Sequence, residues 1–183
     1  MLSNVQKLGW LVLVSLLALA ASTATGCMEP GDLTVLPGVS DYKTSGEYVR
    51  VSRGAYDSDL GADIRIDVWV SANAAEPYRR ISPESHGSGA TLPYGTVIVR
   101  EVHDKKTGAL QKLTLMYKTE HGIAPEVGDW EYAVTDGAGI PLLNDDGSEK
   151  SGLMPECRGC HEKRGSIDDF LFGVPQDMKT SSH

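Results

Sequence analysis

The pentapeptide Cys157-Arg158-Gly159-Cys160-His161 gathers the residues of this chain best suited to chemistry. Its spacing is that of a c-type haem attachment site. Positions three and four apart share one face of a helix, so both thiols can reach the two vinyl groups of a single porphyrin. His161 is then directed at the iron from the same side as its proximal ligand, and the protein tunes the metal through the opposite axial position and the surrounding dielectric. Two other uses of these residues compete. A closed zinc site needs four ligands, and no second paired motif supplies the remainder. A thioredoxin-like dithiol calls for a βαβ pattern, which is missing. The expectation is one covalently bound haem c, held by Cys157 and Cys160, with its iron on His161.

The beginning of the chain predicts where such a group would be attached. Lys7 precedes a nearly unbroken apolar run from Leu8 to Ala21, and small residues lead to Cys27. That order is the one found in secretory signals, and the run is short of the roughly 20 residues needed to cross a bilayer. Ala24-Thr25-Gly26-Cys27 resembles the bacterial lipobox, with Ala24 where leucine is usual. Cys27 is therefore expected to carry lipid and to hold the protein at a membrane on its periplasmic side. Met28 after it is compatible with the outer membrane. The alternative is an ordinary signal peptide cut nearby, leaving a free thiol. The chain has three cysteines, so none remains for a structural disulfide.

Removing residues 1–26 from the 183 leaves 157, enough for one domain with a real core. Lys7 is the only charge in the leader, so 16 of the 17 basic residues and all 25 acidic ones remain, a net charge of −9. Such a chain is unsuited to polyanions, which excludes nucleic acid as a partner. Residues 27–46 are rich in Gly, Pro, Ser and Thr and read as a flexible tether. Residues 47–183 form the haem domain.

Strand signals dominate that domain. Tyr48–Val51 alternates, and Ile64, Ile66, Val68 and Val70 share one face of a second strand. Thr96–Val102 is β-branched and dense enough to be a well-covered strand. The turn-rich stretch 103–109 then joins it to Leu113–Lys118 as an antiparallel hairpin, and Trp130–Val134 is a further strand. The cysteine motif sits on a short helix. Ser166 as N-cap and Gly173 as stop predict another. The fold class is α+β: mainly antiparallel β-sheet with helices at one end and a C-terminal c-type haem motif.

Several pieces, in order along most of the domain, resemble the cytochrome P-460 family, which includes the cytochromes c-prime-beta. They are Pro77-Tyr78-Arg79, His86-Gly87, Leu92 to Glu101 with its Pro-x-Gly-Thr strand, Met116-Tyr117-Lys118, Asp129-Trp130-Glu131-Tyr132, and the late haem motif followed by Asp168-Asp169-Phe170. The resemblance implies a mostly antiparallel β domain, usually a homodimer, holding one c-type haem whose iron is five-coordinate. One branch oxidises hydroxylamine, using a lysine joined to the porphyrin and a distal acid that relays protons. The other lacks that lysine, lines the distal side with apolar groups and binds nitric oxide or similar gases.

On this resemblance the lysine position falls on Arg100, which argues against the crosslink, and Glu131 is the candidate distal acid. Lys118 is a possible substitute for the lysine, although a solvated strand-end residue is its plainer reading. His86 and His103 are possible second haem ligands. Tyr78 and Arg79 are candidates for the propionates, arginine being suited to carboxylates. Met116, Met154 and Met178 are the available sixth ligands, and none has a context that singles it out. Electron-carrier cytochromes c usually carry the motif early and a methionine later. Here it comes about twenty residues from the end, which favours an iron open to a small ligand. The expected activity is binding of nitric oxide or a similar nitrogen-oxide or gaseous ligand, or electron transfer with a redox partner protein. The alternatives are hydroxylamine oxidation and a structural haem without redox role.

Overall fold

The structure, a computed structural model, describes residues 39–58, 61–84 and 87–181. Seven strands form one antiparallel sheet: β1 (Tyr48–Arg50), β2 (Tyr56–Asp57), β3 (Ile64–Ser71), β4 (Val97–Asp104), β5 (Leu110–Lys118), β6 (Trp130–Thr135) and β7 (Ser151–Gly152). The order across the sheet is β1-β3-β4-β5-β6-β7, with β2 also on β3. Among the described residues there are two short α-helices, α1 (Ala75–Arg79) and α2 (Pro155–His161), and several single 3-10 turns. The fold is thus mainly antiparallel β with two short helices, as the alternating strands and turn-rich connections predict. Among the described residues no helix is long and apolar enough to cross a membrane.

Side chains alternate across a strand, and both faces of this sheet are covered. On one face Ile66, Val68, Val70, Ile98, Val102, Met116, Trp130 and Tyr132 form the larger core. Ala75 and Tyr78 of α1, Met154, Leu171 and Val174 close over it, and Cys157 packs at its margin. On the other face Val97, Val99, Leu113, Leu115 and Ala133 are covered by Val39, Tyr42 and Tyr48. This two-sided cover explains why β4 reads as an almost continuous apolar run. Each fully buried aliphatic or aromatic side chain contributes on the order of 1.5–3 kcal/mol.

The hairpin β4–β5 pairs Val97 with Tyr117 through Val102 with Lys112, and its register shifts between Val102 and His103. Of the segment read as a tether, residues 27–38, with Cys27, lie outside the described residues. From Val39 onward it packs on the sheet: Val39 and Tyr42 are buried, and the Tyr42 hydroxyl donates to Glu101 at 2.6 Å. The helix expected over Ser166–Gly173 is not formed. A single 3-10 turn spans Ser166–Asp168 without a side-chain cap. It ends because Asp169 and Phe170 both take positive φ, 55° and 62°. The reason lies in the demands on Asp168 and Asp169, whose carboxylates are bonded to other parts of the fold.

Glu101 is buried beneath the packed N-terminal segment. Burial alone would raise its pKa, but bonds from Lys43, Tyr42 and His103 outweigh it and hold the carboxyl below its ordinary value. A depressed carboxyl contributes stability that is present above the unfolded-state pKa, about 4.3, and lost as pH falls through the lower folded value. Residues 39–46 should therefore loosen on acidification below about pH 4, seen as faster amide exchange there. Glu101→Gln should flatten that acid limb; an unchanged pH profile in this variant would count against Glu101 as the clamp.

Candidate functional site

Helix α2 begins with Pro155 at its first turn, a position where the missing N–H costs nothing. It sets Cys157, Cys160 and His161 on one side of the helix, as their spacing requires. The two cysteines are free thiols, each half-buried. Burial, then Glu156, pushes the Cys157 thiol up, the opposite of what a reactive redox dithiol needs. Among the described residues no three His, Cys, Asp or Glu side chains converge as they would around a metal ion.

His161 is buried, at 9% exposure. Its ring is flanked by Tyr132, with centroids 5.3 Å apart, and by Phe172, edge-on at 5.2 Å. Its Nδ1 lies 2.7 Å from the Phe170 carbonyl oxygen. A carbonyl only accepts, so Nδ1 carries the proton and donates, leaving the Nε2 lone pair available. Burial, reinforced by the positive Arg100, lowers the His161 pKa to about 4, so the imidazole is neutral at neutral pH. A neutral ring oriented through its other nitrogen is what a metal-ligating histidine requires.

His161 opens on a cavity of about 430 Å³, within the size range of small-molecule and cofactor sites. Ile66, Ile98, Arg100 and Met116 of the sheet form its floor, Tyr78 of α1 one wall, and Leu171 and Phe172 another. Burial pushes the Tyr78 phenol up to about 12, so it stays protonated. On the same sheet face the hydroxyls of Tyr132 and Thr114 are buried without a hydrogen-bond partner. Of the motif, His161 lines the cavity, while Cys157 packs at the margin of the same core and neither thiol is in the cavity wall. A mostly apolar cleft with a neutral histidine is compatible with a macrocycle reached from α2.

A second set of residues holds the histidine's partner in place. Lys118 is buried and its Nζ lies 2.6 Å from both carboxylate oxygens of Asp169. The Leu92 N–H donates to the same carboxylate, and Trp130 Nε1 donates to the Asp169 carbonyl at 2.9 Å. Asp168 accepts from the N–H and hydroxyl of Ser88, at 2.8 and 2.6 Å, and pairs with Arg164. The turn so fixed aims the Phe170 carbonyl at His161. Glycine is required where the chain passes closest to it. A Cβ on Gly128 would stand 2.7 Å from the Phe170 ring, and one on Gly173, at φ 72°, only 2.4 Å from the Ile81 carbonyl oxygen.

Not every candidate reaches the cavity. Arg100, Tyr78 and Met116 line it together with His161. Glu131 does not: it is cross-strand to Tyr117 and buried on the opposite face of the sheet, because its neighbours Trp130 and Tyr132 point to the core over which α2 packs. His103 is also on that far face, bonded to Glu101 at 2.8 Å. Arg79 turns away to Glu76 and Thr180. Lys118 is neither solvated nor in the cavity, being consumed by Asp169. Met154 starts α2 and Met178 packs at the core margin; neither lines the cavity. His86 lies outside the described residues. The Lys118–Asp169 pair and Phe172 escaped the sequence reading. Strand alternation offered one signal, since Lys118 follows the inward-facing Met116 by two.

No family model matches the chain, and no curated protein matches it.

Removing Lys118 strands the Asp169 carboxylate, whose pKa burial already raises against the pull of Lys118. Lys118→Ala should therefore cost about 3–5 kcal/mol, read as a lower urea midpoint. Lys118→Met with Asp169→Asn removes both charges and keeps a residue tolerant of positive φ, and should recover most of the loss. Equal stability of wild type and Lys118→Ala would show that the pair contributes nothing.

Proposed function

We propose that this chain is an exported, lipid-anchored mono-haem c-type cytochrome of the cytochrome P-460 type. It would bind a small nitrogen-oxide or gaseous ligand, or pass electrons to a redox partner protein, at an iron open on one side. The observation that carries this reading is His161: buried, neutral, bonded through Nδ1 to the Phe170 carbonyl, and facing a cavity of about 430 Å³. Cys157 and Cys160 would hold the porphyrin covalently, and His161 would coordinate its iron through Nε2. The haem would supply a redox-active iron with an exchangeable position. The chain's own residues orient the imidazole, exclude water with Ile66, Ile98 and Leu171, and keep the Tyr78 phenol protonated at the wall. Lipid on Cys27 would tether the domain to the periplasmic side of a membrane, and the P-460 resemblance adds a homodimer.

Hydroxylamine oxidation is the less favoured reading. The position matched to the crosslinking lysine is Arg100, Lys118 is held by Asp169, and Glu131 is on the wrong side of the sheet to relay protons in this cavity. A ligand-binding or electron-transferring role needs none of the three.

The mature protein, made in a host with a c-type haem maturation system, should carry one haem that survives denaturation, seen in its mass. Cys157→Ser with Cys160→Ser should abolish that added mass. His161→Ala should keep the attached haem but change its visible spectrum. The reduced wild type should take up carbon monoxide or nitric oxide with a spectral shift. A mature polypeptide with no added tetrapyrrole would end this reading. A far-shifted ferrous band with hydroxylamine turnover would replace it by the enzymatic one.

A further inference from the structure

The charges around the cavity are unevenly matched. Two acids line it, and both are engaged. Asp57 pairs with Lys105 at 2.6 Å and with Arg65 at 3.6 Å, and Glu84 accepts from the Ser82 hydroxyl and keeps its charge at the exposed rim. His161 is neutral. Arg100 is the cation on the floor, half-buried on β4 between Ile98 and Val102. Among the described residues no carboxylate or other acceptor bonds its guanidinium. Directly across the strand pair is Thr114, whose hydroxyl is also buried without a partner. A guanidinium removed from water is costly unless paired, and it presents a planar fork of donors that suits oxyanions and carboxylates.

We propose that Arg100 makes this cavity selective for a small anion of the nitrite or azide type over neutral ligands. The inference rests on the haem reading above and names the class of ligand for that site. A half-buried arginine on the floor of an apolar cleft attracts negative charge more strongly than one in open water, because the apolar walls lower the local dielectric. The same chemistry is available from a second source, a propionate of the haem itself. Arg100 lines the cavity beside Ile98 and Met116, with Tyr78 and His161 also in its walls. The two sources differ in what replacing Arg100 does: loss of an external anion's site lowers anion affinity, whereas loss of a propionate partner shifts the reduction potential.

Optical titration of the purified ferric protein with azide and with nitrite, and of the ferrous protein with carbon monoxide, separates the possibilities. Arg100→Gln and Arg100→Met are compared with wild type, two variants guarding against a folding failure in one. The expected result is a loss of azide and nitrite affinity of about 10- to 100-fold, with carbon monoxide affinity changed no more than about threefold. Equal changes for anions and carbon monoxide would overturn the inference. So would unchanged anion affinity with a shifted reduction potential, or loss of haem from both variants, since Arg100 would then serve a propionate. A wild type without covalent haem, judged by mass before any titration, is the separate failure of the underlying reading, and this inference falls with it.

Discussion

The hydrogen bond from His161 Nδ1 to the Phe170 carbonyl is the interaction on which the arrangement of the site depends. It fixes the tautomer, orients the ring, and leaves the Nε2 lone pair free on a residue that lines the cavity. The acceptor sits in a turn that an ordinary chain avoids. Asp169 and Phe170 both have positive φ, each at roughly 1–2 kcal/mol for a residue with a Cβ. That cost is offset by the bonds to Asp169, from Lys118, Leu92 and Trp130, and by those of Asp168 to Ser88 and Arg164. The carbonyl that orients His161 is thereby tied to the ends of two central strands.

A buried ion pair is rarely a good source of stability, because desolvating two charges opposes their attraction. Lys118 and Asp169 are better understood as setting position. With its carboxylate gripped from two sides, Asp169 has one place to be, and its neighbour's carbonyl follows. The rings of Tyr94 and Trp130 lie 5.7 and 5.3 Å from the ammonium and add cation–π attraction. The far face of the sheet supports this indirectly. Tyr42 and Glu101 anchor the N-terminal segment over Val99 and Leu115, so β4 and β5 are packed from both sides and present Arg100 and Met116 on a stiff floor.

Much of this was legible in the sequence, and what was not has physical reasons. The strands at 64–71, 97–104, 110–118 and 130–135 follow from alternation and β-branching, and the hairpin from its turn residues. The short helix follows from the spacing of Cys157, Cys160 and His161. Ser166 looked like a helix cap because local pattern cannot reveal that Asp168 and Asp169 are claimed by Ser88 and Lys118, about 80 and 51 residues away. Lys118 looked solvated because a lysine at a strand end usually is. Its burial depends on a carboxylate that only tertiary folding delivers. Strand alternation puts Glu131 on the face opposite Trp130 and Tyr132. The same alternation takes it away from His161 once α2 is known to pack on the Trp130 side.

The cavity's polarity is therefore set by what each charged group is already doing. Asp57 and Glu84 are neutralised or bonded at the rim, His161 is held uncharged by burial, and the Tyr78 phenol is held protonated by burial. Arg100 alone among the charged lining residues lacks a bonded partner in the described fold. In an apolar cleft, charge that is not cancelled locally acts over several ångströms with little screening. Arg100 is thus the positive charge on the floor, while Glu84 keeps its negative charge at the exposed rim. A ligand is therefore chosen there in two ways, by fit against Ile98, Met116 and Leu171 and by charge against Arg100.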